Sequence, residues 1–256
     1  MAAFWIYGVL IIAGVVCYLV WRGWMKLHPI PVDVVLTSVL IGTPVVMASC
    51  HLIYFVATGM PVAAWRAFFL AAHGWRAGYA SIGVLAGIVP ALIVVSLIHR
   101  YPLLRLLDQF SPAAFIASAI WRADCFLDGC CYGAPTSLPW GVRFTIVEEL
   151  NLMTPPSHPV QLYEAGLSVV ILLLLPGLFR RLRTRPSEGV MLLVCLLVYS
   201  AERFVLEFFR IGGTSRAVAY GMSMTQIVTL GGVLLFGCGL VAVLAARNRR
   251  RQPSKE

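Results

Sequence analysis

Residues 189–210 read GVMLLVCLLVYSAERFVLEFFR, and this stretch decides what kind of protein the chain forms. Residues 189–201 carry no charge, and then Glu202, Arg203, Glu207 and Arg210 follow in quick succession. An apolar helix of about 20 residues crosses a hydrocarbon core of roughly 30 Å. Ionisable groups at the end of such a helix are costly there and point to function. Arg203, Glu207 and Arg210 stand at i, i+4 and i+7, so a continuous helix would carry them on one face. The spacing leaves two readings open. One is an ion-pair ladder near the interface; the other is an anion clamp in which arginine forks grip a lipid phosphate and the glutamate orients them.

The rest of the chain has the same character. Of 256 residues 60% are hydrophobic and only 12% charged, with a mean hydropathy of +0.86, which leaves too few polar side chains to coat a soluble surface. The expectation is an all-α integral membrane protein with seven spans, at 4–20, 34–57, 78–97, 112–126, 164–179, 189–208 and 222–246. They form a single polytopic domain, 1–246, followed by a basic tail at 247–256. No basic stretch precedes the first span, so it is expected to stay in the mature protein rather than be removed as a signal peptide.

Lysines and arginines gather at 22–26, 100–105, 179–185 and in the tail. Basic loops are retained in the cytoplasm, so the N-terminus is expected outside and the C-terminus inside, with the loops at 126–163 and 209–221 facing the exterior. The net charge of +9 then reflects topology and attraction to anionic lipid, and a nucleic-acid partner is excluded. With neither an internal repeat nor paired broken helices, a transporter is disfavoured.

Polar residues concentrate at the exterior ends. Arg122, Asp124 and Asp128 close the fourth span, while His158, Gln161 and Glu164 open the fifth. His158 precedes a proline, which disfavours helical geometry at the histidine and makes Pro159 a natural first helical residue. His158 is thus expected on a loop at the mouth of the fifth span. Tyr163 could simply anchor at the interface.

The chain has seven cysteines. Cys17, Cys50, Cys195 and Cys238 lie within spans and read as small buried apolar residues. Cys125, Cys130 and Cys131 cluster in WRADCFLDGCCYG, residues 121–133. They are ranked first as a disulfide or structural thiols, next as a nucleophile favoured by the Arg122 charge, and last as a zinc site. No metal and no cofactor are therefore expected.

Together these pieces resemble the prolipoprotein diacylglyceryl transferase family of bacterial seven-span enzymes, over almost the whole chain. IYGVLIIAG at 6–14 is similar to the family's Tyr-Gly first helix, and WRAGYASIGVLAG at 75–87 to its glycine-rich third helix. WRADCFLDGCCYG is similar to its Arg-x-x-Asn-Phe-x-Asn-Gly-Glu-x-x-Gly signature, and HPVQLYEA, RFVLEFFR and MSMTQ follow in the family's order. The resemblance implies a multi-pass protein of the bacterial cytoplasmic (inner) membrane. Its implied reaction moves a diacylglyceryl group from phosphatidylglycerol to a preprolipoprotein cysteine thiol, and phosphatidylglycerol or another anionic phospholipid is the expected partner. Tyr7, Arg122, Cys125, Asp128, Gly129, Gly133, Tyr163, Glu164, Arg203 and Arg210 match motif positions and become candidate substrate-binding residues. His158, Cys130 and Glu207 become the catalytic candidates.

The departures are as informative. Where many members carry a histidine before the third-helix glycine, this chain has Ile82, which cannot exchange a proton. Cys125 and Asp128 replace the signature's asparagines, Cys130 replaces its glutamate, and His51 stands in for a basic residue of the second helix. Arginines retained beside such replacements suggest that lipid recognition is kept while the acceptor or the reaction has changed. His158 could serve as the missing base, or Cys130 could attack the lipid. The alternative is a phospholipid-binding membrane protein without the family's catalysis.

Overall fold

The computed structural model describes residues 30–59, 82–147, 152–182, 189–211, 217–219 and 221–251, with a few isolated positions elsewhere. The first expected span, and Tyr7 with it, lies outside the described residues. The chain divides into two compact units, His28–Leu107 and Met1–Leu27 with Asp108–Glu256.

In the first unit, α1 (Val32–Thr58) follows Pro31 and ends at Gly59, whose φ of 66° lets its N–H turn back onto the carbonyl of Val56 at 3.3 Å. It packs against α2 (Ile82–His99). The seam depends on Gly83 and Gly87: a Cβ at Gly87 would lie 2.7 Å from the Cα of Val46, and one at Gly83 would overlap the backbone of Cys50. Small residues four apart let two backbones meet, which is how helices associate where lipid removes the hydrophobic driving force. The open ends are tied by His99, with Nε2 3.0 Å from Thr37 Oγ1 and Nδ1 3.3 Å from Asp33. His51 is buried on α1, its Nδ1 2.9 Å from the Met47 carbonyl.

A short helix that hydropathy does not reveal, α3 (Leu103–Phe110), leads into α4 (Ala113–Leu127). Beyond it come a two-stranded pair, β1 (Thr145–Val147) with β2 (Leu152–Met153), and then α5 (Val160–Leu182) and α6 (Val190–Leu206). A single 3-10 turn, Glu207–Phe209, extends α6; β3 (Ala217–Ala219) pairs with β4 (Met222–Ser223), and α7 (Met224–Arg251) ends the described chain. The core of this unit packs Phe115 of α4, Leu175 of α5, and Val190, Met191, Val194 and Cys195 of α6.

Two helix starts are capped in different ways. The buried carboxylate of Asp108 accepts hydrogen bonds from the N–H groups of Gly189 (2.7 Å) and Leu192 (2.9 Å), closing the start of α6 from a distant part of the sequence. At α7 the cap is local: Ser223 Oγ accepts from the Gln226 N–H at 3.1 Å, and Gln226 Oε1 accepts from the Ser223 N–H at 2.9 Å. This reciprocal pair is a capping box, and it gives MSMTQ a physical role. Gly232 of α7 abuts the Ser200 side chain of α6, so these helices also meet through small residues.

Helices α1, α5 and α7 are long and apolar enough to cross a membrane, and α3 with α4 makes a fourth crossing if the bent pair counts as one span. Their outer faces are apolar, as at Leu40, Leu174 and Leu235. The fifth helix begins at Val160, directly after Pro159 as that proline implied and upstream of the apolar span expected from 164. Two sequence expectations change. The α-form of α6 stops at Leu206, so Glu207 lies in a 3-10 turn and Arg210 is extended, at φ −94° and ψ 154°. Cys238 is exposed on the outer surface of α7 rather than buried.

Candidate active site

Three segments of the second unit bring charge to one point. Glu164, in the second turn of α5 and 1% exposed, receives Arg122 Nε from α4 at 2.9 Å and Arg203 Nη1 from α6 at 3.0 Å, one on each carboxylate oxygen. Arg203 divides its fork, reaching Glu207 with Nη2 at 3.4 Å. Arg210 stands 3.9 Å from both carboxylates, within ion-pair range but beyond a short hydrogen bond. Glu207 Oε1 also accepts from Ser223 Oγ at 3.2 Å, which joins the α7 capping box to the cluster.

The even stripe expected on one helix face is therefore not what gathers these groups. The 3-10 turn tightens the chain after Leu206, and the extended Arg210 then reaches back toward Glu164 and Glu207. Three guanidinium groups face two carboxylates, a surplus of one positive charge among groups at most 16% exposed. Removing one partner from such a buried network costs about 3–5 kcal/mol, because the remaining charges cannot recover hydration. The surplus suits a phosphate diester, which carries one negative charge and several acceptor oxygens.

Beside this cluster the backbone is stitched together at Gly133. Its N–H donates to the His158 carbonyl at 2.8 Å, the next N–H, of Ala134, donates to the Phe209 carbonyl at 2.8 Å, and the His158 N–H donates back to Ala134 at 2.9 Å. The segment pairs as an isolated bridge with Arg210. A Cβ at Gly133 would lie 2.9 Å from His158 Cβ and overlap both Phe209 and Val160, so only glycine allows the loop to pass between the start of α5 and the end of α6.

His158 is half-buried. Its Nδ1 lies 3.1 Å from Tyr163 Oη, which also accepts from Trp140 Nε1 at 2.8 Å, and its ring meets the Phe209 ring edge-on with centroids 5.3 Å apart. Tyr163 is thus a hydrogen-bonding partner of the histidine as well as an aromatic anchor.

The cysteines form a third group. Gly129, at φ 68°, ends α4, and Cys130 donates its N–H to the Cys125 carbonyl at 3.0 Å. Cys131 takes φ 61°, a conformation that non-glycine residues adopt in only a few per cent of cases. These two left-handed residues fold the chain back, so that the three Sγ atoms lie within 4.8 Å of one another. All three are free thiols, which removes the disulfide from the reading ranked first from sequence and keeps its other half, structural thiols. The Cys131 thiol is pulled down to about 5, chiefly by a hydrogen bond from Cys125; burial opposes this, while Cys130, Arg210 and Arg122 reinforce it. The Cys130 thiol is pushed up by burial and by the neighbouring Cys131 charge.

Of the residues expected from sequence, Arg122, Glu164, Arg203, Glu207 and Arg210 come together, and His158 pairs with Tyr163. Gly129 and Gly133 shape the backbone. Asp128 is an exposed C-cap that makes no ion pair among the described residues. Sequence reasoning missed Ser223, legible in retrospect from the S-x-x-Q capping pattern; Gln161, noted only among the polar residues at the start of the fifth span, is buried and its side chain donates to the Cys130 carbonyl. Asp108 was also missed, and nothing in its neighbourhood announces a partner 81 positions away.

Comparison with known proteins identifies the family. The family model described as prolipoprotein diacylglyceryl transferase matches residues 2–243. The phosphatidylglycerol–prolipoprotein diacylglyceryl transferase of Thermosynechococcus vestitus is 30% identical over 169 residues, covering 65% of this chain and 61% of the relative. That of Bordetella avium is 32% identical over 184 residues, 70% of this chain and 65% of the relative. The Methylococcus capsulatus enzyme is 33% identical over 176 residues, 68% and 64% respectively. The chain thus spans roughly three fifths of the length of the curated relatives it matches.

Proposed function

Because this chain belongs to the prolipoprotein diacylglyceryl transferase family, we propose that it moves a diacylglyceryl group from phosphatidylglycerol to the cysteine thiol of a preprolipoprotein. The observation that carries this reading is the meeting of Arg122 and Arg203 on the two oxygens of Glu164, with Arg210 alongside. The relatives' names supply the substrates, and the surplus positive charge supports an anionic lipid head.

In this reaction a thiolate attacks the glyceryl carbon, the C–S bond forms, and the C–O bond breaks with its electron pair leaving on glycerol phosphate. The leaving group gains charge as it departs, so cations fixed beforehand stabilise the transition state more than the bound lipid. Arg122, Arg203 and Arg210 fill that role, with Glu164 and Glu207 fixing their directions.

With no proton acceptor at Ile82, His158 is the base. When its Nδ1–H donates to Tyr163 Oη, its Nε2 lone pair is available to take the thiol proton, and Tyr163 holds the resulting imidazolium in place. Cys130 as a covalent nucleophile is disfavoured chemically, because the thioether it would form is a poor leaving group.

The membrane setting of the proposal has seven spans in one domain, 1–246, with a basic tail at 247–256. The N-terminus and the catalytic loops face the exterior of the bacterial cytoplasmic membrane, and the C-terminus faces the cytoplasm. The basic loops support this orientation, and a membrane-impermeant maleimide that labels Cys130 in intact spheroplasts would test it.

The function itself is tested by incubating purified protein with phosphatidylglycerol labelled in the diacylglyceryl moiety and a lipobox peptide, and identifying labelled products by mass spectrometry. Label on the peptide cysteine is expected. Intact lipid after incubation with active membrane protein overturns the proposal.

A further inference from the structure

We propose that Cys125, Cys130 and Cys131 hold a zinc ion whose fourth position takes the acceptor cysteine as a thiolate. This inference rests on the transfer reaction proposed above and concerns how the acceptor sulfur is activated.

The observation is geometric. The three Sγ atoms lie within 4.8 Å of one another, and a tetrahedral zinc with bonds of about 2.3 Å requires sulfurs about 3.8 Å apart. The gathering is built into the backbone: Gly129 and Cys131 both adopt the left-handed conformation, and the Cys130 N–H returns to the Cys125 carbonyl. The Cys130 carbonyl is held in turn by the buried Gln161. Such a turn positions the thiols before any ligand arrives.

Exposure sets what the site can do. Cys125 is buried, whereas Cys130 and Cys131 are exposed, so three protein sulfurs occupy one side and the other opens outward. Structural zinc sites close all four positions with protein ligands; sites that perform chemistry keep three and leave one open. With Cys130 and Cys131 exposed, an incoming peptide cysteine would take that open position.

Charge fits as well. Zinc with three thiolates carries one net negative charge, and Arg122, one helical turn from Cys125, stands beside it. A zinc-bound thiol is deprotonated outright, which eases the proton transfer to His158 in a chain with Ile82 at the usual histidine position. The replacement of the family's asparagine and glutamate by Cys125 and Cys130 then has one chemical explanation.

Each step balances. The acceptor thiol displaces a zinc-bound water, a Zn–S bond forms, and the thiol proton passes to His158. The sulfur then attacks the glyceryl carbon, a C–S bond forms, and the C–O bond electrons leave on glycerol phosphate, held by the arginines. The neutral thioether releases the zinc, water returns, and nothing is oxidised or reduced.

The test uses full-length protein in detergent, stripped of metal and titrated with Co2+ as a spectroscopic substitute for zinc. One equivalent should give a near-ultraviolet sulfur-to-cobalt charge-transfer band, lost in Cys130→Ser and in Cys131→Ser. The band should strengthen when a lipobox cysteine peptide is added, but not when its serine counterpart is. No band in the wild-type protein, or a disulfide among the three cysteines by mass spectrometry, overturns the zinc site. A band that ignores the cysteine peptide overturns the acceptor role. Zinc-loaded protein should transfer label roughly a hundredfold faster than chelated protein, the scale of losing an activating group. Equal rates overturn activation by metal, whereas no transfer in either form with a peptide-sensitive band overturns the transfer reaction and leaves the metal site standing.

Discussion

The arginine–glutamate cluster and the cysteine turn are neighbours along α4, Arg122 and Cys125 being one helical turn apart, and they are assembled in opposite ways. The cluster draws its members from α4, α5 and the end of α6, and its two carboxylates are each 1% exposed. The cysteine turn is local in sequence, partly open, and depends on two left-handed residues. A buried ion network tolerates little change, because deleting any partner strands the others. An exposed turn can exchange its side chains while keeping its shape.

Mutations can break that contrast, beginning with the cluster. Arg203→Ala should lower transfer by roughly a hundredfold or more, on the scale of losing a group that stabilises developing charge, with loss of phospholipid binding measured on the same purified protein. Arg122→Ala should act in the same direction. A variant that binds lipid and turns over normally would mean that the cluster is only a structural tie.

His158→Ala should slow turnover by about a hundredfold with KM for phosphatidylglycerol little changed, since no headgroup contact is removed. Tyr163→Phe should fall between this variant and the wild type. Steady-state kinetics at saturating lipid provide the measurement, and equal kcat values for His158→Ala and the wild type would remove the histidine as proton acceptor.

Smaller effects sharpen the comparison. Ser223→Ala should cost about 1 kcal/mol of stability through the lost cap and should also loosen Glu207, both readable as a lower thermal midpoint with reduced turnover. In metal-free protein, iodoacetamide should alkylate Cys131 before Cys130. The Cys131 rate should hold at neutral pH and decline as the pH drops through about 5, because the thiolate is the reactive form and protonation removes it. Peptide mapping at several pH values would show the order; faster labelling of Cys130 would mean that the turn is organised differently.

Much of this architecture was legible in the sequence, for identifiable reasons. Hydropathy marks apolar runs, so the helices now seen at Val32–Thr58, Ala113–Leu127 and Met224–Arg251 fell close to their expected limits. The spacing of Arg203, Glu207 and Arg210 placed them in one neighbourhood, where they lie, although the turn that joins them is not the continuous helix that spacing implied. Hydropathy could not show α3, which is short and amphipathic, or the reach of Asp108 to a helix start far along the chain. The choice between a disulfide and free thiols was not legible, because composition and compartment speak to oxidation but not to left-handed backbone at Gly129 and Cys131.

Gly133 carries a consequence for how the molecule can move. The strand through it is bonded on one flank to the segment bearing His158 and on the other to the segment bearing Arg210. In the proposed reaction the proton acceptor and the phosphate-holding cation are therefore fastened to the same rivet. An acceptor that nudges this loop on arrival should shift both together, so docking of one substrate would be felt by the residues proposed to hold the other.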